Sequence, residues 1–436
     1  MERELAIALR ARVTWLVAAI SALLVGHSFV LAIDLYSASS RSAFASLLQT
    51  REMDPLAGVV RPTLGGVGLA IALLAPLIAA RPLAIEKERR SYGALCLAAG
   101  STTRVIVQKS LAGLLAGAPL LISPALLFAL FRAAGGHIDP IETAVALGGE
   151  GLHLLLVTVI SVAAAAWTQS FAQAVTVGVL ASLTSWAIDA SEGFAALAWL
   201  GGAADWSIER YLLPFQRGVV SLRAVGWLLG ASASAFVLAL VGGSFVNPKR
   251  KLVLASGIVW VSLLTLIGLA QVHRGFDWSE QRRASLPPAI VNGLRAIADP
   301  IQLDVTLDRD DSRRRQLEAD TLAKLRLARP DLQIFMPLDD ARDVTEAARD
   351  PEYGRIRVQV GSESRETRST SRRELVTLIF EASGRSLPAW EQPVYPGFPT
   401  VIEGAPRRNV LAFSYLGLPS GFLFLGWLLT RKRGKR

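Results

Sequence analysis

The sequence predicts an α-helical polytopic membrane protein: a six-span core, two further spans, and a small α/β extracytoplasmic domain between the last two. Three observations carry this. Of 436 residues, 52% are apolar and 19% charged, against about a quarter charged in soluble domains. Mean hydropathy is +0.40, and several apolar runs reach the roughly 20 residues needed to cross about 30 Å of hydrocarbon. The charge is also segregated. Residues 274–408 hold 22 Lys and Arg against 22 Asp and Glu, so the net charge of +10 lies wholly in the apolar remainder. That is the pattern of membrane-flanking anchors rather than of a duplex-binding face, which excludes nucleic acid as the partner. A single cysteine, Cys96, rules out an intrachain disulfide and a thiolate metal cluster, and the histidines at 27, 137, 153 and 273 have no ligand spacing.

Apolar runs place the spans at 13–33, 62–80, 111–131, 145–167, 171–189, 225–246, 252–271 and 410–429. The fourth and fifth are nearly continuous and are divided at Thr168, Gln169, Ser170 and Gln173. The N-terminus is not read as a cleavable signal, because Glu2 and Glu4 spoil a basic leader and the first apolar run is too long. Residues 1–12 read as an interfacial amphipathic helix, with Leu5, Ala8 and Leu9 toward lipid and Glu2, Arg3, Arg10 and Arg12 toward water. Basic clusters precede span one, separate spans two and three and spans six and seven, and close the chain. With eight spans all four fall on one side. The expected orientation has both termini cytoplasmic and residues 273–408 periplasmic or extracellular.

Between spans two and three, Glu86-Lys87-Glu88-Arg89-Arg90 opens a segment that runs through a short apolar helix to Ala99, a stop at Gly100, and Ser101, Arg104 and Lys109. Gly100 supplies C-cap chemistry, so the segment reads as a cytoplasmic helical hairpin. Any loop beside a bilayer carries such charges, which is the plain alternative. The order of residues resembles the loop after the second span of ABC-2 type exporter permeases, an E-K-E-R run followed by S-x-x-R-x-x-x-x-K. The resemblance implies a coupling helix that docks a separate ATPase subunit, with Glu86, Lys87, Glu88, Arg89, Arg90 and Arg104 at the contact. Phe215-Gln216-Arg217-Gly218-Val219-Val220-Ser221-Leu222-Arg223 resembles a motif of the Gld-type permeases, with Ala224 in place of the usual acid. The stretch from Gly275 through Asp277, Trp278, Arg282 and Arg283 to Leu286 is similar to the opening of the Gld-type auxiliary protein, with Trp278 and Ala284 as departures. The resemblance implies a permease fused to a short auxiliary domain, residing in a bacterial inner membrane.

No G-x-x-x-x-G-K-[ST] occurs, so this route to cradling ATP phosphates is absent. ATP and Mg are expected on the partner ATPase, with no cofactor or metal held by this chain. No Ser/His/Asp or Cys/His constellation can be defended, so no catalytic residue is assigned and the chain is not read as an enzyme.

Span four carries Glu150 and His153 one helical turn apart. Ionisable groups in a span are candidates for a pathway, yet both sit near the expected outer end, where water solvates them, and that interfacial reading is preferred. Residues 191–224, with Trp199, Trp206, Tyr211, Phe215 and Arg217, are expected to form a short helical or re-entrant segment at the outer leaflet, serving as a gate or as belt anchors. In the outer domain, strands are expected at 301–307, 332–336 and 355–360, and helices at 288–298, 313–328 and 372–382. Arg313, Arg314 and Arg315 read as a solvated helix face, and 388–406, rich in proline, as an extended return to the last span.

The domain division is a permease core at 1–250, a seventh span at 251–272, the outer domain at 273–408, and an eighth span with a basic tail at 409–436. The first functional expectation is the permease subunit of an ABC-2 type exporter, a homodimer with two ATPase chains in contact with membrane lipids. The alternative is a mechanotransmission or assembly platform that moves no substrate and acts on an envelope partner. A receptor without an ATPase is the third.

Overall fold

Side-chain caps start the helices of the fourth to seventh spans. The computed structural model describes residues 2–191, 203, 206–272, 274–308, 311–340, 352–390 and 395–431. Trp199, Asp310 and the tail cations Lys432, Arg433, Lys435 and Arg436 lie outside these, as do the side chains of Glu2, Arg3, Arg315 and Asp320.

The chain begins with α1 (Glu2–Leu9), α2 (Arg12–Ala43) and α3 (Leu47–Glu52), followed by a π turn at Leu56–Val60 that leads into α4 (Arg61–Ala79). Next come α5 (Arg81–Glu88), α6 (Tyr92–Ala99), α7 (Thr102–Gly117) and α8 (Pro119–Ala133). In α9 (Pro140–Trp167) the Asp139 carboxylate accepts from the Glu142 N–H, with proline at the first position; in α10 (Phe171–Ala190) the Ser170 hydroxyl accepts from the Gln173 N–H. Short α11 (Ile208–Leu212) precedes α12 (Leu222–Gly243) and α13 (Pro248–Ala270). Among the described residues, eight helical stretches are long and apolar enough to cross a membrane: Arg12–Ala43, Leu56–Glu88, Thr102–Ala133, Pro140–Trp167, Phe171–Asp189, Leu222–Gly243, Pro248–Ala270 and Gly404–Arg431. This is a polytopic helical membrane protein with a small sheet region.

Each expected span overlaps one of these stretches, the sixth and seventh running past Gly243 and Ala270, but several stretches are longer than expected. The first runs ten residues past Ile33 and the fourth starts at Pro140. Hydropathy marks only the apolar middle of a helix, whereas its ends are set by caps. The spans alternate between two ends of the bundle, one carrying residues 86–104 and the other the sheet domain. The innermost helices are α2, α4 and α9, and no residue of α13 is buried. In lipid such helices associate by packing rather than by a hydrophobic driving force.

The amphipathic start is corrected. Ala8 is buried and Leu9 packs with it in the core shared with α2, so this apolar face meets protein rather than lipid.

The sheet domain contains α14 (Pro288–Ala296), α15 (Ser312–Gln316), a π turn at Leu317–Leu322, α16 (Ala323–Ala328) and α17 (Arg372–Ala382). Two short strands, β1 (Val219–Ser221) and β2 (Gly275–Asp277), pair antiparallel and tie the end of the α11 segment to the start of the domain. The main sheet comprises β3 (Ile301–Val305), β4 (Gln333–Phe335), β5 (Ile356–Val360) and β6 (Glu363–Thr367), in the order β4-β3-β5-β6. The β3–β4 pair is parallel and the other two are antiparallel. Ile301, Leu303, Val305, Ile356, Val358 and Val360 face a core closed by Ile290 and Leu294 of α14 and by Leu375, Ile379 and Phe380 of α17. Each such buried aliphatic side chain stabilises by roughly 1.5–3 kcal/mol. Strand β6 was not expected, because Glu-Ser-Arg-Glu-Thr has no apolar alternation; it forms as the hairpin partner of β5.

The Arg313–Arg315 reading needs correction at Arg314. Its guanidinium is buried, donates to the Leu307 carbonyl at 3.2 Å and pairs with Glu318 at 2.9 Å, while Arg313 pairs with Asp311. From Phe398 the return strand lies along α2. The Tyr36 hydroxyl donates to the Phe398 carbonyl, and the Thr400 and Ile402 N–H groups donate to the Ser40 and Ser37 hydroxyls. It enters α18 (Gly404–Ala412), where Arg407 forks onto Asp34 with two contacts of 3.0 Å, and continues through the π turn Phe413–Gly417 to α19 (Leu418–Arg431).

Candidate functional site

Three constellations of polar residues stand out, at one end of the bundle, within it, and at the other end. The first is the 86–104 hairpin. Gly100, at φ +69°, ends α6 in the left-handed conformation that glycine adopts without strain, and the Ser101 hydroxyl caps α7 by accepting from the Arg104 N–H. The six sequence candidates divide into two sets. Lys87 Nζ donates to the carbonyls of Ala165, Ala166 and Thr168 at 3.1, 2.7 and 2.5 Å, occupying the orphan acceptors at the C-terminus of α9. Glu88 Oε1 accepts from the Phe171 N–H at 2.6 Å, the matching role at the start of α10. Glu86 accepts from the Ser91 hydroxyl and lies 3.5 Å from Lys109 Nζ, which also holds Glu4 of α1 at 2.7 Å. The Lys109 side chain is only 3% exposed. Lys87 and Glu88 therefore fasten the hairpin to α9 and α10, and Glu86 reaches α1 only through Lys109 of α7.

Arg89, Arg90 and Arg104 are exposed, as is Glu88, and between Arg90 and Arg104 in the chain α6 presents Leu97, 85% exposed. On the inner side of α6, Tyr92 donates to the Gly243 carbonyl at 2.9 Å. Burial first, and the neighbouring Cys96 second, push the Tyr92 hydroxyl well above its ordinary pKa. The hairpin is thus anchored through Lys87, Glu88 and Lys109 and leaves three cations and one large apolar side chain exposed.

The second constellation corrects the interfacial reading of span four. Because α9 starts at Pro140, Glu150 lies about 15 Å along the helix at 1.5 Å per residue. Glu150 and His153 are 1% and 2% exposed, and His153 Nδ1 is 3.3 Å from Glu150 Oε2. Protein, not headgroup water, surrounds them. Nearby, Ser185 of α10 donates to Glu209 of α11 at 2.7 Å, and Ser207 donates to Asp189 at 3.0 Å. Arg210 Nε is 3.6 Å from Asp189. Burial raises the Glu209 pKa, opposed by the Ser185 hydrogen bond and by the charge of His153. The last contacts join α10 to α11, while Glu150 and His153 are ionisable groups inside a helical bundle, where such groups are costly unless used.

Of the outer-leaflet candidates, Tyr211 is buried and stacks on Trp227, with ring centroids 4.2 Å apart. Trp206 is exposed, and Arg217 sits half-buried in the 3₁₀ turn Phe215–Arg217.

The third constellation was not singled out from sequence. Arg283 Nη2 donates to both oxygens of Glu142 at 2.8 Å, its Nη1 lies 2.9 Å from Asp54, and its guanidinium stacks over the Tyr395 ring at 4.6 Å. Burial works against the Arg283 charge, but Asp54 and Glu142 more than offset it and raise its pKa; burial likewise pushes the Tyr395 hydroxyl up. His137 pairs with Glu280 at 2.9 Å and stacks on Phe398. The space among these groups is about 10 Å³, room for at most a single water, so the clamp holds parts of the chain together rather than a ligand. The motifs around Gly218 and Asp277 meet here: the Trp278 N–H donates to the Gly218 carbonyl, and the Leu222 N–H to that of Arg274. Gly218 has φ +73°, and a Cβ there would lie 2.8 Å from Ser279 Cα and 2.9 Å from Glu142 Cγ. Asp139-Pro140 followed by Glu142 was the available signal, a helix start with an acid in its first turn. The pairing with Arg283 has no local signature.

Among the described residues, no group of three or more His, Cys, Asp or Glu is placed to hold a metal ion. Comparisons with protein-family models, curated proteins and solved structures return no match to this chain.

Proposed function

We propose that this chain is the permease subunit of an ABC-2 type exporter in a bacterial inner membrane, driven by a separate ATPase that docks on the 86–104 hairpin. The observation that supports it best is the division of that hairpin. Lys87 and Glu88 fix it to α9 and α10 and Glu86 pairs with Lys109, which holds α1, while Arg89, Arg90, Leu97 and Arg104 are left exposed. A lever that passes motion to the bundle needs both, rigid attachment behind and a docking surface in front. Exposed cations and an exposed leucine on one hairpin suit an acidic-rimmed apolar groove. ATP and Mg belong to the partner in this reading, and the docked side is the cytoplasm. Six spans form half of a pathway, so two copies are expected, and closed two-fold association is the commonest solution. The Glu150, His153 and Glu209 cluster is the candidate polar lining of that pathway.

Isolating the chain from native membranes and looking for a nucleotide-binding subunit tests the proposal. Absence of any ATP-hydrolysing companion overturns it. A second reading, a mechanotransmission platform that moves no substrate, draws support from the Arg283 clamp and the β1–β2 pairing, which tie the sheet domain to α9 and α12. Reconstituted complex that hydrolyses ATP in response to an envelope partner, yet moves neither lipid nor solute, favours that alternative.

A further inference from the structure

We propose that the helix-free face of the four-stranded sheet binds a neutral oligosaccharide. Strand register puts Gln333, Gln302, Gln359 and Ser364 side by side across all four strands, and Phe335, Asp304, Arg357 and Glu366 in the adjacent row. An open groove of about 360 Å³ lies over Gln302, Asp304, Phe335 and Arg357 of these rows, flanked by Thr306, Arg355 and Glu352, and the register sets Gln333 and Gln359 on either side of Gln302. A solvated sheet face is polar by default, so polarity alone says nothing.

The kind of polarity is what selects a ligand. Three neighbouring amides each carry donors and an acceptor, and two are held in place: Gln302 donates to Asp304 at 2.9 Å and Gln359 to the Gly361 carbonyl at 3.2 Å. The basic charges are already matched. Arg357 donates to Glu366 at 2.8 Å, and Arg355 lies 3.0 Å from Glu366 and 3.1 Å from Glu352. An anion would have to break these pairs, and an apolar ligand would strip water from the amides without replacing their hydrogen bonds. Phe335, 53% exposed, offers a flat apolar surface at the edge of the amide row. A pyranose has vicinal hydroxyls that both donate and accept and one flat C–H face to lay on an aromatic ring. The groove volume accommodates about two such rings, at the lower end of small-ligand sites. The match does not depend on how the chain is powered.

Full-length protein in lipid nanodiscs, titrated calorimetrically with maltohexaose, with chitohexaose and with dextran sulfate, tests this. At least one neutral hexasaccharide should bind. Phe335→Ala and the pair Gln302→Ala with Gln359→Ala should each weaken it at least tenfold at unchanged melting temperature. Should the paired change lower the melting temperature, Gln333→Ala at the exposed edge gives the same reading. No binding of either neutral sugar, binding indifferent to Phe335→Ala and Gln333→Ala, or binding of dextran sulfate alone each overturns the proposal.

Discussion

The Arg283 guanidinium holds both carboxylate oxygens of Glu142 at 2.8 Å, although 141 residues separate them. Glu142 is buried in the first turn of α9, and Arg283 belongs to the segment that opens the sheet domain. Removing one partner strands a buried charge. Arg283→Met is therefore expected to cost about 3 kcal/mol or more, read as a lower melting temperature and as new proteolytic cleavage between residues 271 and 288. Adding Glu142→Leu to Arg283→Met should recover part of that loss. A double variant whose loss equals the sum of the two single losses would show that the pair does not interact.

Gly218→Ala should act at the same junction. The φ of +73° costs alanine about 1–2 kcal/mol, and the added Cβ presses on Ser279 and Glu142. A melting temperature equal to that of the parent protein would contradict this geometry.

The two halves of the hairpin should separate in mutagenesis. Arg89→Glu with Arg90→Glu, or Leu97→Asp alone, should reduce recovery of a co-purifying ATPase at least tenfold at unchanged melting temperature, because all three side chains are exposed. Lys87→Met should instead destabilise by about 1–3 kcal/mol, since it leaves three carbonyls at the end of α9 without their donor. Full ATPase recovery with the Arg89, Arg90 and Leu97 variants removes the proposed docking surface.

Glu209 should make stability pH-dependent. Burial raises its pKa in the folded protein, so its contribution is greatest below the ordinary carboxylate value, about 4.3, and is lost as pH rises toward the raised value. Glu209→Gln should flatten melting temperature against pH above that value and raise it at neutral pH. A variant that tracks the parent protein at every pH shows that Glu209 does not titrate in this window.

A topology reporter fused near residue 340 checks orientation; a cytoplasmic signal there inverts the reading of both ends.

Hydropathy, caps and alternation are local, which is why the sequence by itself determined the eight apolar helices, the Gly100 stop in the hairpin, and strands β3, β4 and β5 with their inward Ile, Leu and Val. Tertiary structure decided what these signals do not encode. Lys87 and Glu88 read as part of one exposed charged run, yet each serves a helix end some 80 residues away. Glu150 and His153 lay near the end of an apolar run and became interior once Asp139 and Pro140 started α9 earlier. Strand β6 exists because β5 offers an edge, and Arg283 finds Asp54, Glu142 and Tyr395 only after four separate segments meet. Such pairings gain their energy from burial that the folded neighbours create, and no property of a short sequence window carries that information.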